Sequence, residues 1–284
     1  MTRQHIMTTN NVNENILVIQ TVQIAPFRTL MTALKDILLE TNITFTPEGI
    51  KIINMDKSHT VLAHLSLDAE KFEHYECNES KIVIGVNMFH LFKLINTIDN
   101  DDTLTMYIES CDYTDGIVQY LGLKFENGDI KQQKIQKLRL IEPDAEELDV
   151  PTVTFSSVLN LPSVDFQKII RDLSCISEKI QIQSVATNDG AELIFKCTGG
   201  FAQAEVRRAE SNGSMEYIIK QEQSKIIQGE FSLKNLGYFI KCTNLCTQIE
   251  IYLENDLPLV VKYNVASLGE IKLCLAPLPS SNHV

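Results

Sequence analysis

The sequence predicts an α+β protein made of two similar halves, each a β-sheet domain with two helices. Three observations lead there. First, an order of strand, helix, strands, helix, strands runs from about residue 16 and starts again after Pro151. Second, the stretch DDTLTMYIE at 101–109 is echoed in residue type by CTQIEIYLE at 246–254, each following a predicted helix. Third, the chain closes at 255–278 on two alternating apolar strands around a turn, the pattern of a terminal sheet hairpin.

In chain order, residues 16–24 alternate as a strand. A helix follows over 26–40, with Pro26 suited to a first helical position. Residues 44–55 and 60–67 read as strands, 87–97 as a second helix, and 104–109 and 118–125 as strands. In the second half, a strand over 152–160 leads to a helix starting near Pro162. Strands at 180–184, 192–197 and 202–208 follow, then a helix over 232–244, a strand over 248–254 and the hairpin. In the hairpin Leu259, Val261, Tyr263 and Val265 share one face, while Lys262 and Asn264 share the other. Residues 266–270 form its turn, with Gly269 available for a positive φ. Ile271, Leu273 and Leu275 line the return strand, and Pro277 and Pro279 stop it because neither carries an N–H. The division expected is a disordered extension (1–15), a first domain (16–140), a connecting loop (141–152), a second domain (153–278) and a tail (279–284).

The length of 284 residues and a hydrophobic content of 44% support a sizeable core. No run approaches the roughly 18 apolar residues of a membrane span. The Asn/Thr-rich N-terminus lacks the apolar core of a secretion signal. Seven cysteines at irregular spacing therefore read as reduced thiols of an intracellular protein. The net charge of −12 argues against nucleic-acid binding unless the cations are segregated onto one surface.

The helices carry that segregation. Their apolar stripes are core: Phe27, Leu30, Met31, Leu34 and Leu38; Met88, Leu91, Phe92 and Ile95; Phe166, Ile169, Ile170 and Leu173; Leu233, Leu236 and Ile240. The opposite faces hold Arg28, Lys35, Lys93, Lys168, Arg171, Lys234 and Lys241. Without those seven, 18 basic residues remain against 37 acidic ones, a balance of −19. Any solvated helix carries some Lys and Arg, and only the repetition gives the pattern weight. Such a basic layer on an acidic body attracts phosphates without reading bases. The segment 141–152 is acidic and extended, yet it carries Leu148 and Val150 among its charges, which a plain linker does not need.

Enzymatic and metal chemistry find little support. His59 and His64 are five apart on a predicted strand and point to opposite faces. His74 and Cys77 have no second paired motif, and Cys242 with Cys246 has no matching His pair, so core packing accounts for them. The sequence has neither a phosphate-binding glycine loop nor a nucleophile elbow. No cofactor is expected.

Several motifs carry a resemblance. They are TALKDILLE (32–40), GIKIINMDKSHTVLAHL (49–65), YEC with GVN (75–77 and 85–87), DVP (149–151) and PSVDFQKIIRDLS (162–174). With Asp256, Pro258, Leu259, Val260, Ala276 and Pro277, they resemble eukaryotic-type DNA sliding clamps, the proliferating cell nuclear antigen family. The resemblance runs from about Leu17 to Pro277. It implies the DNA clamp fold: a homotrimeric ring of six similar domains, sheets outside, helices around a central hole holding duplex DNA. The seven helix cations would then face DNA. It further implies a noncatalytic processivity factor that tethers DNA polymerase and other clamp-binding proteins, is placed by a clamp loader, and works in the nucleus or a viral replication factory. Subunits would join through edge strands near 131–140 and 201–208. Partner peptides would dock among Met55, His59, Leu62, Leu148, Val150, Pro151, Leu275, Ala276 and Pro277, with Asp256 and Pro258 shaping one wall.

Departures from the family pattern are also present. Cys274 stands where Tyr is usual, Leu278 where a basic residue is common, Asp149 replaces a small residue and Cys175 a His. The loop 185–190 has no lysine for the family's modification site. Divergence and the N-terminal extension fit a large DNA virus or a protist. The alternatives are a peptide-docking scaffold independent of DNA, a subunit of a heterotrimeric checkpoint clamp, or a monomeric viral processivity factor.

Overall fold

The computed structural model describes residues 15–145, 148–187, 190–222 and 225–279. The expected disordered extension before Asn15, Glu146 and Glu147 of the connecting loop, part of the 185–190 loop, and the tail past Pro279 lie outside the described residues.

The first half runs β1 (Asn15–Thr21), α1 (Ile24–Ile37), β2 (Glu40–Thr46), β3 (Gly49–Met55), β4 (Val61–Asp68), β5 (His74–Cys77), β6 (Ile82–Asn87) and α2 (Met88–Ile95). It ends with β7 (Thr103–Glu109), β8 (Tyr113–Thr114), β9 (Ile117–Val118), β10 (Tyr120–Asn127) and β11 (Gln132–Arg139). The second half runs β12 (Ser157–Pro162), α3 (Ser163–Ser174), β13 (Lys179–Thr187), β14 (Gly190–Thr198), β15 (Gln203–Ala209), β16 (Glu216–Ile219), β17 (Ile226–Ser232) and α4 (Leu233–Phe239). It closes with β18 (Gln248–Leu253), β19 (Leu259–Val265) and β20 (Gly269–Leu275).

The ladders repeat as well as the order. In the first half β1 pairs with β5 and β7, β7 continues to β10 and β11, and β2 pairs with β6 and β3, which continues to β4. In the second half β12 pairs with β16 and β18, β18 continues to β19 and β20, and β13 pairs with β17 and β14, which continues to β15. Even the exits match. Ile141 N–H donates to the Gly85 carbonyl (3.0 Å), and Leu278 N–H donates to the Glu230 carbonyl (2.7 Å).

One pairing joins the halves. β20 lies antiparallel to β4 from Gly269↔Leu67 to Leu275↔Val61, making a nine-stranded sheet, β16-β12-β18-β19-β20-β4-β3-β2-β6. The corresponding strands β11 and β15 are sheet edges, each paired on one side only among the described residues. Helices cover one side of the sheets. α1 packs on α2 in its own half and, in the other, on α4 and the 3-10 turns Ile240–Leu245, which in turn meet α3. Apolar stripes predicted as core are buried, including Phe27, Leu30, Leu34, Phe166, Ile170 and Leu236.

Several boundaries differ from expectation, each for a local reason. The helix predicted from Pro26 begins at Ile24, whose side chain is buried, so the first strand stops at Thr21. Pro26 sits inside the first turn, where its missing N–H has no helical partner anyway. The single strand expected over 44–55 is two strands folded back at Pro47–Glu48. Gly49 makes the return possible: its φ is 148°, and a Cβ there would lie 2.0 Å from the Leu67 carbonyl oxygen. The helix expected over 232–244 is capped by Ser232, is α-helical only to Phe239, and continues as 3-10 turns to Leu245. The strand expected from Thr152 enters the ladder only at Ser157. In the closing turn the left-handed residue is Ala266 (φ 47°). Gly269 has the positive φ expected of it (158°) and opens β20 against β4, where a Cβ would meet the Ser66 carbonyl oxygen at 2.1 Å.

Candidate functional site

The outer face over the β20–β4 joint carries an apolar row. Tyr252 pairs with Val260, Val260 with Cys274, Cys274 with Leu62, and Leu62 with Met55. Five strands from both halves thus set five side chains in one line across the sheet. The neighbouring row is polar: Glu250, Lys262, Lys272 and His64, again in direct register. The segment 149–155 lies beside the apolar row. Together they enclose a groove of about 500 Å³, lined also by Thr60, Val150, Pro151, Val153, Phe155, Pro258 and Ala276. Phe155 packs edge-on to Tyr252, with ring centroids 5.5 Å apart.

The polar row is internally neutralised. Lys262 Nζ reaches Glu250 (3.0 Å) and Glu270 (3.2 Å), and Lys272 Nζ reaches Glu270 (2.8 Å). Burial, with Lys272 beside it, lowers the His64 pKa and keeps the ring neutral at pH 7. Burial pushes the Cys274 thiol up to about 11, so it is a small apolar floor residue rather than a thiolate. One end of the groove is fixed by the Asp56 turn. The Asp56 carboxylate accepts the N–H groups of Thr60 (2.8 Å), Val61 (2.8 Å) and Ser58 (3.2 Å), and also the Ser58 hydroxyl.

Met55, Leu62, Val150, Pro151, Pro258 and Ala276 are brought together as expected. Five expected residues need correction. Leu275 is 1% exposed, because alternation along β20 turns it into the core while Cys274 and Lys272 face out. His59 takes a left-handed turn conformation (φ 54°) and is exposed off the groove lining. Asp256 and Pro277 line a separate polar hollow of about 430 Å³ with Gln228, Glu230 and Asn255. Leu148 is half-buried and does not line the groove. The residues missed include Thr60, Tyr252, Val260 and Phe155. Their signal was Val260 and Tyr252 standing apolar on the outward face of strands whose neighbours there are charged.

On the helix layer the seven cations are not equivalent. Lys93, Lys168, Arg171 and Lys234 are exposed and have no carboxylate partner among the described residues. Lys93 also lies 4.4 Å over the Phe89 ring. Lys241 is paired to Asp36, and Lys35 reaches the same carboxylate at 2.6 Å. Arg28 is half-buried, its Nη2 donating to the Ile98 carbonyl at the end of α2. Asp36, Asp165 and Asp172 also sit on these helices and dilute the basic layer.

The suggested His and Cys metal groups do not assemble. Among the described residues the group with ligand spacing is Glu109, Cys111 and Asp112. Its centre holds the Lys137 ammonium, 2.8 Å from Glu109 and 2.9 Å from Asp112. All seven cysteines are free thiols.

Two family models match the chain: "Proliferating cell nuclear antigen, N-terminal domain" over residues 16–147, and the "C-terminal domain" over 149–278. A relative described as "Probable DNA polymerase sliding clamp 1", from Paramecium bursaria Chlorella virus 1, is 30% identical over 269 residues, 94% of this chain and 99% of that one. A crystal structure of proliferating cellular nuclear antigen from Entamoeba histolytica superposes with a TM-score of 0.81 at 22% identity, covering 93% of this chain and all of the other. Both halves are matched by the models of one family, and a relative at 30% identity spans nearly the whole chain: this chain belongs to the proliferating cell nuclear antigen family.

Proposed function

We propose that this chain is a DNA sliding clamp and polymerase processivity factor that encircles duplex DNA as a homotrimeric ring. The observation that carries the reading is the pair of unpartnered edges. Each half offers the same two strand edges; inside the chain one pair is joined, β20 to β4, and the other pair, β11 and β15, is left free. Free edges invite association, and a head-to-tail contact that closes makes a ring. With helices on one side of every sheet, closure would direct Lys93, Lys168, Arg171 and Lys234 toward enclosed DNA.

In this reading residues 16–140 and 153–278 act as the two clamp domains and 141–152 as the loop between them. The groove takes a short partner peptide with apolar anchors, from a DNA polymerase or another clamp-binding protein. A clamp loader would place the ring. No reaction is assigned to the chain, and its place is the nucleus or a viral replication site. Support comes from the family, from the apolar groove and from the exposed cations. No helix among the described residues is long and apolar enough to cross a membrane. The test is retention on DNA. The protein loaded on a nicked circle should resist a high-salt wash and slide off after linearisation; equal retention on open linear DNA would refute encirclement.

A further inference from the structure

The turn at one end of the groove is held partly from the helix layer. Residues 56–60 fold back ahead of β4, and His59 among them takes a left-handed conformation (φ 54°). A non-glycine residue stays there only where its surroundings over-determine it. Much of the hold is local. The Asp56 carboxylate accepts from Ser58, Thr60 and Val61 N–H, and the Asp56 carbonyl accepts from His59 N–H (2.9 Å). Two further ties reach Thr60 from distant elements. Its carbonyl accepts the Ala276 N–H (3.0 Å), and its hydroxyl accepts from Nδ2 of Asn235 (3.2 Å), in the first turn of α4. Thr60 and Ala276 line the groove, whereas Asn235 does not.

The protons along this path share one direction. An amide Nδ2 can only donate, so the Thr60 hydroxyl oxygen accepts from Asn235. The Ser58 hydroxyl gives its proton to the Asp56 carboxylate. The 2.7 Å contact between the Ser58 and Thr60 hydroxyls therefore uses the Thr60 proton. Each donor polarises the next, from α4 through Thr60 and Ser58 to a carboxylate at the end. The duplication does not demand this path. Three residues beyond its cap, α2 carries His90 where α4 carries Asn235.

On the peptide-docking reading above, we infer that Asn235 is a positioning residue for the groove. From the helix layer it fixes the Thr60 end of the lining, and so raises the affinity for a partner peptide that it does not touch. Without its amide, Thr60 keeps its backbone bonds to Asp56 and Ala276, but its hydroxyl loses the one tie that comes from the second half of the chain among the described residues. The turn then opens more readily in the free protein. A ligand that needs the closed lining must order it again on binding, and that cost appears as lost affinity.

The test uses the full chain and a synthetic peptide copying the C-terminal tail of a DNA polymerase. By calorimetry Asn235→Ala should weaken binding about two- to fivefold, the effect of one hydrogen bond. In a Thr60→Val background the same change should cost less than about 1.5-fold, because the acceptor is already gone. Unchanged affinity in Asn235→Ala, or an equal loss in both backgrounds, overturns the positioning role and leaves the docking reading in place. Amide hydrogen exchange of the free protein tests the same point without a ligand. The Thr60 and Val61 N–H groups, both held by Asp56, should exchange about two- to fivefold faster in Asn235→Ala, while the β18 and β19 amides stay as in wild type. Unchanged exchange at Thr60 and Val61 overturns the positioning role. A peptide that fails to bind the wild-type chain overturns the docking reading, and with it the role of Asn235 in affinity.

Discussion

Asp56 governs one end of the groove with a single carboxylate. Its burial disfavours the charge, but hydrogen bonds from the Ser58 hydroxyl and the N–H groups of Val61, Thr60 and Ser58 more than offset that, and its pKa is lowered. A lowered folded pKa contributes stability above the unfolded value, and that stability is lost as pH falls through the folded value. Asp56→Ala leaves three N–H groups without their acceptor and should cost about 1–3 kcal/mol at pH 7, read by urea unfolding. The difference from wild type should shrink as pH drops below about 4; a pH-independent difference would count against the carboxylate. On the opposite wall, Val150→Ser should weaken a polymerase-tail peptide about tenfold by calorimetry, because it removes an apolar contact from the groove. Leu148→Ser, off the lining, should change that affinity less than twofold and serves as its internal control. Equal losses would put the loop's contribution in its fold rather than in the groove.

Along the helices, burial separates cations that a stripe pattern treats alike. Lys93, Lys168 and Arg171 stand free of carboxylates among the described residues, so replacing each with Ala should reduce the salt dependence of equilibrium binding to linear duplex DNA by about 0.9 in log–log slope. Their melting temperatures should stay put, because these side chains are solvated. Arg28→Ala should behave in the opposite way. Its guanidinium caps the Ile98 carbonyl, so stability should fall by about 1–2 kcal/mol in urea titrations with little change in salt slope. A slope change equal to that of Lys93→Ala would return Arg28 to the DNA-facing set. At the strand level, Gly269→Ala should destabilise the chain, since the new methyl meets the Ser66 carbonyl and the closing strand must shift.

At the scale of the molecule, the chain is a duplication with one seam used and one seam open. Association through β11 and β15 should make the melting temperature rise with protein concentration. A Glu205→Pro change removes an N–H that points to the free edge and should give monomers by light scattering with the intrachain sheet intact by circular dichroism. A trimer that survives it would place the contact elsewhere.

The amphipathic helices, the duplicated order, the free thiols and the apolar residues in the connecting segment were all legible in the sequence. Each depends on spacing along one chain, and a buried face must repeat with the period of its element. The α2 cap at Asn87 and the α4 cap at Ser232 belong to the same class, as does the Asp115-Gly116 turn between β8 and β9, which went unread although its dipeptide signals it. Other features had no local signal. That Leu275 turns inward while Cys274 floors the groove depends on which face of β20 meets the core. That Tyr252, Val260, Cys274, Leu62 and Met55 form one row depends on register across five strands and two halves. That Lys241 is bound by Asp36 while Lys234 is free depends on how α1 packs beside the end of α4. Periodicity assigns a residue to a face; only the packing of distant elements assigns it a neighbour, because residues far apart in sequence meet solely through the tertiary ladder and helix contacts.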